Sequence, residues 1–295
     1  MAGRGWTRQW TLALFVLSAA LVSGGEEMAP TPEKQPGRQF NSKLPFGVWA
    51  QIEEDEPPKL VGVAPSEKPL AIPSCRTWGV EPLGLPDMAA VARELDAQRI
   101  PGLRLDNASD DDLAHLKDLK GLQTLDLGWS PVTDAGLAHL KELKGLQTLR
   151  VASRQVTNAG LVHLKELKAL RVLWLSGAQI TDAGLTNLKE LKGLQELGLS
   201  RTPVTDAGLT YLRELKGLHT LNLWRTQVTD AGLAHLKELR GLQYLGLGYT
   251  RVTNTGLACL KELKGLQKLN LMSTGVTDAG IAELKKSLPN LRVAR

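Results

Sequence analysis

Four histidines of the chain are separated by multiples of 24 residues, a spacing that could bring metal ligands together. His115, His139 and His163 follow one another at this interval. His235 falls in the same series three intervals later. If each interval were one coil of a stacked architecture, neighbouring imidazoles could share a zinc ion. The other members of the series are Asn187, Tyr211, Cys259 and Glu283. Such a mixture is typical of a solvent-facing helix position, so we predict no metal site.

Other patterns that could carry chemistry are weak. Asp110, Asp111 and Asp112 could bind calcium, but a run of acids is more typical of a helix N-terminus, where the helix dipole favours negative charge. Gly246 and Gly248 form a Gly-x-Gly inside a repeated apolar segment and not ahead of a Rossmann helix. No Ser-His-Asp or Cys-His motif stands out. We therefore predict that the protein is not an enzyme and uses no cofactor.

The interval of 24 residues is a repeat that covers more than half of the chain. Residues 121–288 hold seven consecutive units of 24 residues, and the segment from about 98 to 120 is a copy that lacks two residues. Repeats of this length indicate a solenoid, in which each unit contacts only its neighbours. We refer to each unit as a coil.

The apolar pattern of one coil predicts its structure. Leu125 and Leu127 alternate like the inward face of a strand, whereas Leu137, Leu140 and Leu143 recur as on one face of a helix. Strands pair about 4.8 Å apart while helices are about 10 Å across, so a stack of such coils curves with its strands inside. The predicted fold class is α/β, a curved solenoid with parallel strands on the concave side and helices on the convex side.

Two further positions of the repeat concern the start of each helix. Thr133 and Asp134, with their equivalents, supply a cap oxygen and a carboxylate there. Gly136 and its equivalents stand in or beside the first helical turn, where glycine costs about 1 kcal/mol relative to alanine. A glycine at this position in all seven coils predicts that neighbouring coils approach too closely there for a side chain.

These coils resemble leucine-rich repeats. The spacing of Leu122, Leu125 and Leu127, with the Val-Thr-Asp-Ala-Gly-Leu segment that ends at Leu137, is similar to the cysteine-containing variety known from F-box proteins and from exported bacterial repeat proteins. The resemblance covers about 98–293 and implies a binding solenoid. It departs from the cysteine-containing pattern after the strand, at Ser130, Arg154, Ala178, Thr202, Thr226, Thr250 and Thr274. No F-box-like segment is visible, so the resemblance implies no ubiquitin-ligase role.

The outward positions of the predicted strands differ from coil to coil, whereas the framework positions are almost constant. Aromatic and arginine side chains gather at these variable positions, and such side chains are the usual hot spots of protein interfaces. The candidate partner-binding residues are Arg150, Trp174, Glu196, Arg201, Asn222, Trp224, Arg225, Tyr244 and Tyr249. We predict that they bind another protein. A glycan or cell-wall ligand held by the aromatic residues is the alternative.

The two ends of the chain differ from the repeats. Residues 1–25 have a basic start, a short apolar stretch and small residues, as in a secretory signal peptide, so we predict export to the periplasm, the cell envelope or the medium. Residues 26–86 hold 11 of the 15 prolines. They predict a largely disordered tether, with the apolar patch 46–52 as a candidate strand. Residues 87–120 predict a capping helix with the incomplete coil, and residues 289–295 an end strand.

The charge, hydropathy and cysteine content of the chain restrict the classes of partner and site that the sequence predicts. The formal charge of +5 does not indicate nucleic-acid binding, because lysines of the repeats such as Lys141 alternate with glutamates such as Glu142. After removal of the signal peptide, no segment is apolar enough to make this an integral membrane protein. Cys75 and Cys259 lie 184 positions apart in sequence and are predicted to be unpaired.

Overall fold

The computed structural model describes residues 37–51, 58–66, 68–75, 77–84 and 87–295. The predicted signal peptide and residues 26–36 of the predicted tether lie outside the described residues. The chain divides into two units. The N-terminal body holds the described residues up to Leu105 together with 121–128, and the repeat body holds 106–120 and 129–295.

The N-terminal body consists of seven strands and one helix in the described residues. They are β1 (Arg38–Phe40), β2 (Phe46–Gln51), β3 (Lys59–Ala64), β4 (Leu70–Ile72), β5 (Thr77–Pro82), α1 (Met88–Gln98), β6 (Gly102–Arg104) and β7 (Thr124–Asp126). β1 pairs with β4 in a small antiparallel sheet. β2 lies antiparallel between β3 and β5, and β5, β6 and β7 continue the sheet in parallel.

The predicted tether is wrong for the described residues between 37 and 84, because they form β1 to β5. Phe46 and Val48 alternate along β2 and are fully buried, as is Trp78 of β5. The prolines are compatible with these strands because they stand beside them or at their ends: Pro45 directly precedes β2, Pro65 directly follows β3, and Pro82 is the last residue of β5. Proline removes a backbone donor, so it limits where a strand can lie without preventing one from forming beside it.

The repeat body alternates strands with short helices. Its strands are β8 (Thr148–Val151), β9 (Val172–Leu175), β10 (Glu196–Gly198), β11 (Thr220–Asn222), β12 (Tyr244–Gly246), β13 (Lys268–Asn270) and β14 (Arg292–Ala294). Its α-helices are α2 (Asp110–Ala114), α3 (Asp134–His139), α4 (Asn158–Leu164), α5 (Asp182–Leu185), α6 (Asp206–Leu212), α7 (Asp230–Leu233), α8 (Asn254–Leu257) and α9 (Asp278–Ser287). Four coils continue with a 3-10 turn, at Leu140–Glu142, Leu188–Glu190, Ala234–Leu236 and Ala258–Glu262.

The strands β8 to β14 form one parallel ladder in which equivalent residues of successive coils face each other. Leu197 of β10 pairs in register with Leu173 of β9 and with Leu221 of β11. These leucines, and Leu209 on the helical side of the same coil, have no exposed surface. The helices and 3-10 turns close each coil on the side opposite to the strands, so the aliphatic core runs between the two.

Hydrogen bonds join the start of each helix to the next coil. Asp182 of α5 accepts from the backbone N–H of Thr205 at 2.8 Å and from its hydroxyl at 2.6 Å. Thr205 in turn accepts from the N–H of Ala207 and caps α6. The described chain contains seven such pairs, which we call the helix-start ladder: Asp110–Thr133, Asp134–Thr157, Asn158–Thr181, Asp182–Thr205, Asp206–Thr229, Asp230–Thr253 and Asn254–Thr277.

The repeated glycine gives the helix-start ladder its space. A Cβ at Gly208 would overlap the Oδ1 atom of Asp182, and the same holds for Gly232 against Asp206. The close approach predicted from the sequence therefore involves the side chain of the preceding aspartate, not two backbones. The glycine accommodates the carboxylate that binds the threonine of its own coil.

Candidate functional site

The strands of the repeat body turn every second side chain away from the core. We call these outward side chains, with those of the second and third residues after each strand, the strand face. Its larger exposed or half-buried members are Trp129, Arg150, Arg154, Trp174, Glu196, Arg201, Asn222, Trp224, Arg225, Tyr249 and Met272. Of the nine residues predicted to bind a partner, eight are among these members.

Tyr244 is the exception among the predicted binding residues. It stands at an outward strand position but only 8% of it is exposed, and burial raises the pKa of its phenol. The glycine two positions later explains the burial, because a Cβ at Gly246 would lie 3.1 Å from the Tyr244 hydroxyl oxygen. The ring therefore occupies the space above a residue without a side chain, and it offers little contact surface to a partner.

A left-handed turn after the strand fixes the most exposed side chains of the strand face. Arg201, Arg225 and Tyr249 follow β10, β11 and β12 with φ angles of 60°, 55° and 56°. The N–H of Arg201 donates to the carbonyl of Trp224 at 2.8 Å, and the N–H of Arg225 donates to that of Gly248 at 2.9 Å. These bonds to the next coil stabilise a backbone conformation that L-residues rarely adopt. The backbone positions from which the three side chains project are therefore fixed.

The residue after this left-handed turn stabilises the turn through a hydrogen bond from its buried hydroxyl. The hydroxyls of Thr202, Thr226 and Thr250 are buried, and each donates to the carbonyl of the leucine that directly follows its strand at 2.6–2.7 Å. The coil that carries Arg154 at this position uses Ser153 instead, whose buried hydroxyl donates to the Val132 carbonyl at 2.6 Å. Arg154 itself is exposed. In this coil the turn lies at Arg154 and Gln155.

Four of these side chains form one contact group, which we call the Trp224 cluster. The guanidinium groups of Arg201 and Arg225 lie over the Trp224 ring, 5.0 Å and 4.4 Å from its centroid. Arg225 also lies over the ring of Tyr249 at 4.6 Å, and the two rings meet edge to face at 5.1 Å. Burial, and then the charges of Arg225 and Arg154, lower the pKa of Arg201.

The rings of the two central tryptophans lie against glycines of the neighbouring coil. A Cβ at Gly248 would lie 2.7 Å from Cδ1 of Trp224, and a Cβ at Gly198 would overlap the ring of Trp174. Both tryptophans are half-buried because they lie across the next strand. Trp174 also donates from Nε1 to Glu196 at 3.4 Å, and Arg150 faces Trp174 across the β8–β9 pair.

One polar member of the predicted set, Asn222, binds the backbone. The side chain of Asn222 accepts from the N–H of Trp224 at 3.0 Å and so stabilises the turn that carries the cluster. The structure therefore joins Arg201, Trp224, Arg225 and Tyr249 directly, and it places Trp174 with Glu196 in a separate contact. Sequence reasoning left out Trp129 and Met272, which are each 41% exposed, although both stand at variable positions after a strand.

The helical side has no comparable cluster. His115 is exposed, and His139 and His163 are half-buried. In the part of the chain that the structure describes, no group of three His, Cys, Asp or Glu residues could hold a metal ion. Asp110 accepts from Thr133, and Asp112 forms a capping box with Ser109 at the start of α2.

Lysine and glutamate pair along this side from one coil to the next. The pairs are Lys168–Glu190, Lys192–Glu214, Lys216–Glu238 and Lys261–Glu283, with N–O distances of 3.6, 3.4, 2.6 and 3.2 Å. Each of these four lysines thus meets an opposite charge in the following coil. Cys75 is buried, both cysteines are free thiols, and burial raises the pKa of Cys75. Among the described residues, no helix has the length and hydropathy needed to cross a membrane.

Comparisons with known proteins agree with this architecture. A family model described as leucine-rich repeat matches residues 122–143. A sequence search of curated proteins finds no match. An internalin (inlF) from Listeria monocytogenes is similar in structure, with 22% identity and a TM-score of 0.52 over 69% of this chain and 63% of its own. An internalin C2 (inlC2) from the same organism has 25% identity and a TM-score of 0.53 over 69% of this chain and 83% of its own.

A leucine-rich-repeat protein of Leptospira interrogans also matches, with 24% identity and a TM-score of 0.47 over 66% of this chain and 46% of its own. The present chain spans 63% of the inlF chain, which is less than two thirds of its length. The likeness to the internalins, with the parallel ladder and the helical side opposite to it, shows a leucine-rich-repeat solenoid of the α/β class. Such solenoids are generally protein-binding modules. The resemblance to the cysteine-containing variety stays a prediction.

Proposed function

We propose that this leucine-rich-repeat solenoid is a non-catalytic module that binds another protein through its strand face, with the Trp224 cluster at the centre of the contact. The cluster carries this proposal because it joins two arginines, a tryptophan and a tyrosine in one partly exposed group. Arginine, tryptophan and tyrosine are the side chains most enriched in interface hot spots.

The rigidity of the cluster supports a binding role. Arg201, Arg225 and Tyr249 start from turns held by bonds to the next coil, and their side chains already contact one another or Trp224. A partner that binds such a group has little side-chain entropy to remove, which favours affinity. A group that served only to cover the sheet would not need arginines at positions with positive φ, where glycine is favoured.

Binding by matched pairs of variants tests the proposal. The wild-type chain is used as bait for envelope proteins, and the captured partner is identified and titrated against Trp224→Ala and Tyr249→Ala. We expect each change to weaken binding about 30-fold or more, equivalent to about 2 kcal/mol at a hot spot. Thermal unfolding checks that both variants fold, since Trp224 is half-buried whereas Tyr249 is 41% exposed.

Two variants outside the Trp224 cluster serve as controls. Trp129→Ala removes a strand-face tryptophan that is 41% exposed and lies four coils before Trp224, and Tyr211→Ala removes a tyrosine that is 38% exposed on the helical side. We expect both to bind the partner like wild type. Equal losses in the controls and in the cluster variants would contradict a site at Trp224. Binding to a glycan array in place of any protein would favour the alternative ligand class.

The location of the protein belongs to the same proposal. The signal-like residues 1–25 support export, because a basic start, an apolar stretch and small residues occur in that order. A fusion of the full chain to a reporter that is active only outside the cytoplasm is expected to be active. Reporter activity only in a cytoplasmic assay, with no processed or exported product, would contradict export.

A further inference from the structure

The strand face of the repeat body carries an excess of positive charge around the Trp224 cluster. Arg154, Arg201 and Arg225 are exposed there, and Glu196 is the carboxylate nearest to them in the pattern of outward positions. Glu196 accepts from Trp174. Within the described residues, no salt bridge to a carboxylate involves Arg154, Arg201 or Arg225. On the helical side, by contrast, successive lysines pair with glutamates.

The three arginines also disfavour one another. Burial together with the positive charges of Arg225 and Arg154 lowers the pKa of Arg201, which means that its cationic form is held against repulsion. The π faces of Trp224 and Tyr249 compensate part of this repulsion through cation–π contacts. A carboxylate placed between the guanidinium groups would offset the remaining repulsion, because its negative charge stabilises each cationic guanidinium.

An arginine whose guanidinium lies over an aromatic ring makes a cation–π contact without using its N–H donors. These donors form a fork that matches the two oxygens of a carboxylate, so such an arginine is prepared for bidentate binding. Arg225 lies over two rings at once, at 4.4 Å and 4.6 Å. Its side chain therefore has less freedom to lose on binding an anion than a lysine in open solvent.

We propose that the partner of the strand face presents an acidic, extended peptide segment whose carboxylates bind Arg201 and Arg225, an inference that rests on the proposed function. The spacing of the arginines fits such a segment. Arg201 and Arg225 belong to adjacent coils, and Arg154 lies two coils before Arg201, so the three span about 14 Å at the strand spacing. An extended peptide covers this distance with about four or five residues.

A sugar ring fits this surface less well than a peptide. Stacking of a sugar requires an open aromatic face, but guanidinium groups already lie over Trp224 and Tyr249. The exposed edge of Tyr249 and the Trp224 ring instead provide apolar surface beside the charges. The segment that fits carries at least two Asp or Glu residues with an apolar residue next to them.

Selection of peptides on the full chain tests the inference without knowledge of the partner. A display library of random 12-residue peptides is selected on the wild-type chain and on the double variant Arg201→Gln/Arg225→Gln. The control is Arg213→Gln/Arg240→Gln, which removes two exposed charges from the helical side. We expect wild type and control to enrich the same acidic peptides, and the cluster variant to lose them.

The enriched peptides are then synthesised and titrated by fluorescence anisotropy. Binding is expected to fall about tenfold or more when their Asp and Glu residues are replaced by Asn and Gln, and to weaken as salt is added. Arg201→Lys/Arg225→Lys, which keeps the charge but not the planar fork, is expected to lie between wild type and the glutamine variant. Circular dichroism confirms that all variants are folded.

Two outcomes overturn the inference. One is enrichment of peptides without an acidic excess, or of acidic peptides that the cluster variant binds equally well. The other is preferential binding of a heparin oligosaccharide, with competition by no acidic peptide. Neither result contradicts protein binding at Trp224, because that proposal fails only when the captured partner binds Trp224→Ala and Tyr249→Ala as tightly as wild type.

Discussion

The helix-start ladder and the strand face are built from the same repeat, yet they differ in regularity. Along the ladder, each coil places an aspartate or asparagine against the threonine of the next, with N–O distances of 2.7–2.9 Å to the backbone N–H. Along the strand face, equivalent positions hold Trp174, Gly198 and Asn222 in successive coils. Side chains that bind the neighbouring coil are constant, and those that meet solvent vary. The repeat therefore fixes the shape and leaves the outward side chains free to differ from coil to coil.

The largest effect is expected in the core that both regions share. Leu197 has no exposed surface, so Leu197→Ala should lower the free energy of unfolding by about 2–5 kcal/mol. Lys189→Ala, on the exposed helical side, should change it by less than about 0.5 kcal/mol. Denaturant unfolding measures both. Similar losses for the two variants would show that the assignment of inward and outward positions is wrong.

A double-mutant cycle can isolate one rung of the helix-start ladder. A Cβ at Gly208 would overlap Oδ1 of Asp182 and lie 3.1 Å from Val204, so Gly208→Ala should cost about 1–3 kcal/mol. Asp182→Ala should also destabilise, because it leaves the N–H of Thr205 without its acceptor. The double variant should lose less than the sum, since the new methyl group occupies space that the carboxylate has left.

Gly193→Ala is the matched control for this cycle. A Cβ at Gly193 would lie 3.7 Å from its nearest neighbours, which is ordinary van der Waals contact. Its effect on stability should stay within about 0.5 kcal/mol. Strict additivity of the Gly208 and Asp182 changes would mean that the glycine serves some purpose other than space for the carboxylate.

A smaller effect is expected when a rung changes its chemistry but keeps its geometry. Asn158 accepts from the N–H of Thr181 at 2.9 Å and donates to its hydroxyl at 2.8 Å, so the amide reproduces the rung with one bond reversed. Asp206→Asn should therefore cost less than about 1 kcal/mol, mainly through the lost charge at the helix start. Thermal unfolding compares it with Asp206→Ala, which should cost more because both bonds disappear.

The smallest effect should come from the strand face. Trp129 is 41% exposed, so Trp129→Ala should change stability by less than about 0.5 kcal/mol. Chemical denaturation measures the difference. A loss of stability as large as that of Gly208→Ala would contradict the distinction between a structural helix-start ladder and a variable strand face.

The repeated part of the fold was predictable because one pattern specifies every coil. The position of Leu197 in the core and the departure at Arg154 both follow from comparing coils with one another. Of β1 to β5 in the N-terminal body, the sequence anticipated only β2, from the apolar patch 46–52, since these strands occur once and their prolines dominate the composition. Contact between side chains was also beyond the sequence: nothing in the spacing indicates that Tyr244 folds over Gly246 while Arg225 lies over two rings.

The helix-start ladder has a consequence for how such a chain can change in length. Asp206 binds a threonine 23 residues later, and Leu197 faces a leucine 24 residues later, so every contact between coils refers to the next period alone. Duplication or loss of one whole period by recombination would bring each aspartate against an equivalent threonine. An insertion of any other length would offset all of these pairs at once. The repeat body can therefore lengthen or shorten by whole coils but not by intermediate lengths, and each such change would widen or shorten the strand face.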